Sequence, residues 1–200
     1  NAANLRTKGW ELMLTWNDAF KLANKPFRYN LSVGLADNTS EITKFDNPSK
    51  ILSDYYVGQK LGDIWGYVVD GLFRTDEEAA NYNVDQTAVN FVINTAQVNP
   101  GLHAGDMKFV DLDGDHTISS GSNTADDPGD RKIIGNSLPR YTYSIQGGFD
   151  WYGFDFSIYL QGVGHQDWYP GTNSVFFWGP YARPYSSFIP RDFLSQVWSP

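Results

Sequence analysis

The sequence predicts an all-β fold that is part of a large antiparallel transmembrane β-barrel, with long loops and a small α/β insertion. Three observations predict it: apolar and polar residues alternate in four segments, each segment has about ten residues, and short and long breaks alternate between them. Alternation places the two kinds of side chain on opposite faces of a strand. About ten residues is the length of a tilted membrane strand, roughly twice that of a typical soluble strand.

Residues 140–162 give the clearest alternation, in the sequence RYTYSIQGGFDWYGFDFSIYLQG. Apolar side chains fall on alternate positions before a tight break at Tyr152-Gly153, and again on alternate positions after it. This apolar set is Tyr141, Tyr143, Ile145, Phe149, Trp151, Phe154, Phe156, Ile158 and Leu160. The pattern predicts a β-hairpin with one apolar face, and the aromatic residues near the strand ends are typical of the girdles of membrane barrels.

A second hairpin of the same kind is predicted within residues 1–36. Lys8 to Asn17 and Phe27 to Ala36 both alternate, and a polar break at residues 21–26 separates them. The break includes Pro26, which cannot donate a hydrogen bond inside a ladder. We expect the apolar parities, among them Trp10, Tyr143 and Phe156, to face lipid, and the polar parities, among them Thr142, Gln146 and Gln161, to face the lumen.

Two long segments, residues 37–139 and 163–200, lack sustained alternation. The first should carry structure of its own, because an unstructured loop of that length is rare in a compact domain. Its predicted elements are a strand at residues 64–69 ending in an Asp70-Gly71 turn, a short helix opened by a Thr75/Glu78 capping box, a helical turn or two within Gln86–Asn94, and a strand at Met107–Val110. Short breaks alternating with long ones are typical of outer-membrane barrels, whose turns are periplasmic and whose long loops are extracellular.

The composition excludes several classes of function. A net charge of -8 without a cluster of Lys or Arg argues against nucleic-acid binding, which needs a basic face. The absence of cysteine excludes disulfides, thiolate nucleophiles and cysteine-based zinc sites within these residues. No spacing typical of a serine hydrolase, a zinc protease or a P-loop occurs, so no enzyme activity is predicted. Because the chain starts at Asn1 without a targeting segment, we expect it to be a piece of a longer protein.

Seven short motifs follow one another in a fixed order along the chain. They are KGWE at 8–11, GDIWGY at 62–67, GDMKFVD at 105–111, DRKIIGN at 130–136, PRYTY at 139–143, GFDFS at 153–157 and QGVG at 161–164. Together they resemble the C-terminal barrel region of the SusC/RagA family of TonB-dependent outer-membrane transporters, and the resemblance covers nearly the whole chain.

The resemblance implies a large barrel with an internal plug in the outer membrane, surrounded by lipid and paired with a SusD-like surface lipoprotein that acts as a lid. It implies import of glycans or oligosaccharides, or in some members of peptides. The energy would come from TonB through a segment that lies N-terminal in the family, outside these residues. On this basis the protein is expected in the cell outer membrane, with its loops extracellular.

An acidic loop is a candidate calcium site. Its carboxylates stand at positions 1, 3 and 5 of an EF-hand-like spacing, and a backbone carbonyl stands at position 7. The residues in question are Asp111, Asp113, Asp115 and Thr117. If a metal binds, it would pin a long loop rather than perform chemistry. The alternative is a loop rich in Asx-turns that binds no metal.

This loop departs from the EF-hand pattern at two positions. His116 stands where the turn glycine is expected, and Ser122 stands where a bidentate Glu is expected. The resemblance implies that residues 119–129 are an insertion, so that Asp130 closes the site. Asp126 or Asp127 are the alternatives.

Aromatic side chains in the loops are candidate contacts for a ligand or a protein partner. They are Trp168, Tyr169 and Trp178. Aromatic rings can stack on sugars, and exposed apolar loop patches mark interaction sites, although packing within the loops explains them equally well. Trp65 lies in a strand-like run, where packing is favoured.

Two other functions remain open from the sequence. A soluble carbohydrate-binding β-sandwich with structural calcium would give the same alternation. A glycosidase would use loop carboxylates such as Asp126 and Asp127, although solvated loop charges explain that pair more simply. A monodisperse monomer that unfolds cooperatively without detergent would favour the sandwich, because an excised barrel hairpin set has unpaired edges and should aggregate.

Overall fold

The computed structural model describes residues 3–89, 101–171, 191 and 195. It divides into two compact units. The first unit comprises Asn1–Asn47, Tyr55–Asp63 and Gly135–Asp167, and the second comprises Pro48–Asp54, Ile64–Ile134 and Trp168–Pro200. Trp178 and the last residues of the helical turn predicted within 86–94 lie outside the described residues.

The described residues form strands and one short helix, which confirms the all-β class. The elements are β1 (Asn4–Leu22), β2 (Lys25–Lys44), β3 (Asp63–Tyr67), β4 (Val69–Leu72), α1 (Asp76–Ala80), β5 (Met107–Phe109), β6 (Arg131–Asn136), β7 (Arg140–Trp151) and β8 (Phe154–His165). A four-stranded antiparallel sheet has the order β1-β2-β7-β8, while β3 pairs with β6 and β4 with β5. Among the described residues, no helix is long and apolar enough to cross a membrane.

Two-residue turns close both hairpins of the four-stranded sheet. Ala23-Asn24 joins β1 to β2 with φ of 51° and 62°, and Tyr152-Gly153 joins β7 to β8 with φ of 51° and 87°. Positive φ at both positions is the type I′ geometry that matches the twist of the flanking strands. Since Phe27 pairs with Trp151, the two turns lie at the same end of the sheet. We call this the turn end and the opposite one the loop end.

The first hairpin is longer than predicted. β1 and β2 have 19 and 20 residues, and β2 continues to Lys44 rather than ending at residue 36. Pro26, predicted to lie in a break, is part of β2 and pairs with Lys21 next to the turn. The apolar alternation stops where the polar part of the hairpin begins, so hydrophobic periodicity could not detect the extension.

A returning segment extends the sheet at the loop end of β2. The N–H of Ile42 donates to the carbonyl of Gln59 at 2.9 Å, and the N–H of Leu61 donates to the carbonyl of Ser40 at 2.8 Å. Tyr56 and Ile42 are buried here. The start of the predicted long loop is therefore structured as part of the first unit.

A bidentate ion pair fixes the register of β2 against β7. Arg140 donates from Nε and Nη2 to the two carboxylate oxygens of Asp37, both at 2.6 Å. The pair stands directly beyond the last ladder partners, Ala36 and Thr142. Forked Arg–carboxylate geometry is specific in direction as well as strong. A slip of one residue would break it and move every apolar side chain of the strand to the opposite face.

The second unit has a small core of its own. Phe73, Ala79, Val84 and Ile118 are buried in it, together with Gln86 and Asp130. The predicted capping box is present, because Thr75 Oγ1 accepts the N–H of Glu78 at 3.1 Å and caps α1. The Glu78 carboxylate reaches one residue further than expected and accepts the N–H of Arg74 at 2.9 Å.

One local prediction for the second unit was wrong, and one strand was not predicted. Asp70-Gly71 is not a turn between strands but an irregularity inside β4, where the register against β5 shifts between Val69 and Gly71. A bulge leaves an extra residue unpaired, and glycine is commonly found at such positions. β6 was not predicted at all, because Ile133 and Ile134 are adjacent and give no alternation.

Candidate functional site

The four-stranded sheet has one apolar face and one polar face. The register aligns the apolar side chains in rows across all four strands, for example Leu14, Val33, Ile145 and Leu160. Leu14, Val33 and Leu160 are exposed and Ile145 is half-buried: the exposed fraction is 62% for Leu14 and 51% for Leu160, against 1% for Ile42 at the loop end of β2. A soluble sandwich would bury such a face under a second sheet, and monomeric soluble proteins rarely expose patches of this extent.

Aromatic rings gather on this face at the turn end. Phe20, Phe27, Phe149 and Phe156 form a continuous row across the sheet, with successive ring centroids 4.9, 5.3 and 5.4 Å apart. Trp151 Nε1 donates to the carbonyl of Leu22 at 3.3 Å. Rings with an apolar body and a satisfied polar atom suit a boundary between hydrocarbon and water.

The polar face carries hydroxyl and amide side chains. Members of this face include Thr15, Asn17, Asn30, Ser32, Thr142, Ser144, Gln146, Ser157 and Gln161. A groove of about 760 Å³ follows it, with Met13 and Tyr159 among its walls and Gly34 and Ser144 in its lining. The predicted polar parities thus share one surface, opposite the apolar one.

The acidic loop brings three of its predicted ligands together. Carboxylate oxygens of Asp111, Asp113 and Asp115 all lie within 4.8 Å of one another. Asp111 accepts the N–H of Gly114 at 2.7 Å and that of His116 at 2.9 Å, and Asp115 accepts the N–H of Thr117 at 2.7 Å. His116 adopts φ of 65°, the left-handed conformation for which the EF-hand pattern uses glycine.

Asp130 links the two ends of this loop by hydrogen bonds. It is fully buried, and its two carboxylate oxygens accept the N–H groups of Leu112 and Ser119, both at 2.7 Å. These bonds hold the beginning and the end of the loop together. Asp130 is not among the three residues whose oxygens cluster, and its role as a fourth ligand stays a prediction.

The clustered carboxylates differ in their electrostatics. Burial raises the pKa of Asp111, but the N–H donors of Gly114 and His116 outweigh it, and the net pKa is lowered. The N–H of Asp115 lowers the pKa of Asp113, but burial and the negative charges of Asp115, Asp130 and Asp111 together raise it. Repulsion among like charges is what a bound cation would relieve.

Asp126 and Asp127 are engaged with separate partners. Asp126 accepts from Lys50 Nζ at 2.7 Å, whereas Asp127 accepts from the backbone and the hydroxyl of Ser122. The hydroxyl of Ser122 holds the pKa of Asp127 below its usual value. A glycosidase needs one carboxyl group that stays protonated as an acid, and the lowered pKa of Asp127 does not favour that role.

The predicted aromatic contacts are partly described. Trp168 and Tyr169 are 68% and 67% exposed and directly follow the first unit in sequence. Trp178 falls outside the described residues. Trp65 lies in β3 with its Nε1 atom buried, as expected for a packing role.

The sequence did not predict a network of hydrogen bonds between polar groups at the loop end of the first unit. The backbone of Asn136 donates to Asp167 Oδ2 at 2.8 Å, and Asn136 Nδ2 donates to the carbonyl of Leu61 at 2.9 Å. His165 Nε2 lies 3.0 Å from the same Asp167 oxygen. A Cβ on Gly135 would lie 2.7 Å from that oxygen, so glycine is required there. The available signal was that Gly135-Asn136 belongs to one of the ordered motifs.

These observations define a class: an all-β chain whose largest sheet sets an exposed apolar face against a polar one, an arrangement typical of membrane-spanning strands. No family model matches the sequence. TonB-dependent receptor P39 of Formosa agariphila is 27% identical over 181 residues, covering 79% of this chain and 16% of the receptor. TonB-dependent receptor P3 of the same organism is 22% identical over 174 residues, covering 80% of this chain and 15% of the receptor.

Both matches support the TonB-dependent receptor family for this chain. Both relatives bear the name of TonB-dependent receptors, and the similarity to each covers about four fifths of this chain. The chain spans only about one sixth of the length of these curated relatives.

Proposed function

We propose that this chain forms part of the wall of a TonB-dependent outer-membrane transporter of the SusC/RagA type. The exposed apolar face of the four-stranded sheet is the observation that carries the proposal. In this arrangement the apolar face contacts lipid and the polar face lines the interior of a closed barrel. The turn end is periplasmic, and the loop end is extracellular.

The size of the apolar face supports this assignment. Trp10 and Leu22, near its two ends, are about 12 residue steps apart along β1. At about 3.3 Å per residue and a tilt of about 40°, this distance spans roughly 30 Å of membrane. The hydrophobic band of outer-membrane barrels is about 25 Å high, and bilayer hydrocarbon is about 30 Å thick.

The outer edges of β1 and β8 support closure by further strands. In the part of the chain that the structure describes, neither edge pairs with another strand. Long unpaired edges promote aggregation, and a barrel removes them by pairing each edge with a neighbour. The relatives are about six times longer than this chain, which leaves ample sequence for such neighbours.

The cargo we propose is a glycan or oligosaccharide, with peptides as the alternative, delivered with a SusD-like surface lipoprotein. The resemblance of the ordered motifs to the SusC/RagA family motivates this, and the hydroxyl and amide side chains of the polar face suit an uncharged, hydrogen-bonding solute. Trp168 and Tyr169 are candidate contacts for the cargo or the lipoprotein, and TonB would engage a segment outside these residues.

Purification of the tagged full-length protein from outer membranes tests the proposal. We expect a surface lipoprotein to co-purify, and uptake of a fluorescent glycan panel to stop when the gene or the TonB gene is deleted. Changing Trp168 and Tyr169 to alanine should weaken glycan uptake or lipoprotein capture, whereas changing Tyr152 at the turn end should not. Unchanged uptake of every glycan in the deletion strain, with loss of peptide uptake, would reassign the cargo.

We also propose that the acidic loop binds Ca²⁺ through Asp111, Asp113, Asp115 and the carbonyl of Thr117, with Asp130 as the closing residue. The proposal is supported by the clustered carboxylates and the repulsion that raises the pKa of Asp113. Hard oxygen ligands in this spacing suit Ca²⁺. Millimolar CaCl₂ should raise the unfolding temperature of the protein, and MgCl₂ should do so much less. No shift with Ca²⁺ would leave an Asx-turn loop without metal.

A further inference from the structure

A lysine stands at each end of the apolar face. Lys8 lies two residues before Trp10, on the same face of β1 at the loop end, and Lys25 opens β2 opposite Leu22 at the turn end. Both side chains are exposed. The two lysines therefore bracket the surface that the proposed function assigns to lipid.

Two acidic side chains of β2 near the loop end are already engaged. Asp37 is held by Arg140 at 2.6 Å, and Glu41 is paired with Arg6 at 2.9 Å. Within the described residues, Lys8 forms no ion pair. It is thus a cation available to an anion from outside the sheet.

At the turn end, the ammonium group of Lys25 contacts an aromatic ring instead of a carboxylate. Lys25 Nζ lies 5.1 Å from the centroid of the Tyr152 ring, which is neutral, and no carboxylate of the described residues forms an ion pair with this lysine. Tyr152 is itself 68% exposed. Inside the face, between the Trp10 and Leu22 rows, Asp18 is the one charged side chain, and its Oδ1 accepts the N–H of Ala19 at 2.7 Å.

The separation of the two lysines matches the distance between the headgroup layers of a bilayer. Lys8 and Leu22, the partner of Lys25, are about 14 residue steps apart. This is roughly 46 Å along the strand and about 35 Å along the membrane normal at a tilt of about 40°. Hydrocarbon is about 30 Å thick and the whole bilayer about 40–45 Å, so both ammonium groups reach the level of the headgroups.

We propose that Lys8 and Lys25 bind the phosphate groups of membrane lipids, Lys8 in the loop-side leaflet and Lys25 in the turn-side leaflet. The proposal rests on the proposed function, because it requires the apolar face to contact lipid. In this arrangement each lysine lays its methylene stem against apolar surface and keeps its ammonium group among the headgroups, and Lys25 does so beside the Tyr152 ring. The two contacts fix the height of the sheet in the membrane.

Native mass spectrometry of the full-length protein tests this proposal. The protein is released from nanodiscs of equal parts phosphatidylglycerol and phosphatidylcholine, and the retained lipids are counted. Lys8→Gln and Lys25→Gln should each weaken retention of phosphatidylglycerol about fivefold, as expected for one basic group at an anionic surface. Lys8→Arg and Lys25→Arg should retain it. Lys50→Gln, which changes a lysine paired with Asp126, is the matched control and should have no effect.

Equal lipid retention in all variants would overturn the proposal. A Lys8→Gln variant that keeps its lipid but unfolds at lower temperature would also overturn it, since Lys8 would then pair with a carboxylate on a neighbouring strand. A spin label at position 14 separates this failure from that of the proposed function. If that label is buried in lipid, the proposed function holds and only the lysine–phosphate contacts are refuted. If the label is exposed to water, both the proposed function and the lysine–phosphate contacts are refuted.

Discussion

Changing Leu14 to arginine is expected to destabilise the full-length protein in a bilayer. Leu14 lies near the middle of the apolar face, in one row with Val33, Ile145 and Leu160. Its side chain is 62% exposed, so the substitution removes little packing within the sheet. What changes is the contact with the surroundings, which the proposed function identifies as hydrocarbon.

The expected cost follows from the depth of the residue. Leu14 is about six residue steps from Lys8 and about eight from Leu22, which places it close to mid-height. An arginine on the lipid face of a barrel costs about 2–4 kcal/mol at the bilayer midplane. If the face were in water, the same change at an exposed position would alter stability by no more than about 0.5 kcal/mol.

Thr15→Arg is the matched control, because Thr15 is the next residue on the same strand and lies on the polar face. Equilibrium urea unfolding in phosphatidylcholine vesicles, followed by tryptophan fluorescence, measures both variants. We expect Leu14→Arg to lose about 2–4 kcal/mol and Thr15→Arg to lose far less. Equal losses, or a more stable Leu14→Arg protein, would refute the assignment of this face to lipid.

Three further predictions concern single interactions. Arg140→Lys should lower the unfolding temperature more than Arg6→Lys does, because only the former breaks a forked, largely shielded ion pair. The unfolding temperature is read as the temperature of sample incubation at which the band of the folded protein disappears from a gel run without boiling. Thr75→Ala should speed hydrogen exchange in residues 76–80 by removing a cap worth about 1 kcal/mol, and Thr75→Ser should not. Without Ca²⁺, Asp113→Asn should raise the thermal midpoint at neutral pH. The pKa of Asp113 is raised, so its ionised form destabilises the fold above that pKa, and the gain in thermal midpoint from the Asn variant should vanish in acid. With Ca²⁺ present, the thermal midpoint of the variant should rise less than that of the unchanged protein.

The features that the sequence predicted are those encoded by neighbouring residues. A period of two identified both hairpins, because side chains on the same face recur at every second position. The Tyr152-Gly153 turn and the Thr75 cap were visible because each depends on a few adjacent residues. The spacing of Asp111, Asp113 and Asp115 likewise predicted their clustering.

Features that depend on distant partners were not predictable in this way. β2 continues to Lys44 because β1 and the segment around Gln59 pair with it, although its side chains there no longer alternate in polarity. Asp130 looked like a metal ligand by position, yet its oxygens accept bonds from Leu112 and Ser119 on either side of the loop. The motif containing Asn136 was recognised without its cause, the bonds that it forms with Asp167 and Leu61.

The accessibility of successive β1 positions tests the central claim most directly. Single cysteines introduced from position 10 to position 20 of the full-length protein, made free of other cysteines, carry a nitroxide label in phosphatidylcholine vesicles. We predict that collision with lipid-soluble oxygen peaks at the even positions, which include Leu12, Leu14 and Trp16, and that it is low at the odd positions. Even positions that are as accessible to a water-soluble nickel chelate as to oxygen would contradict a membrane wall.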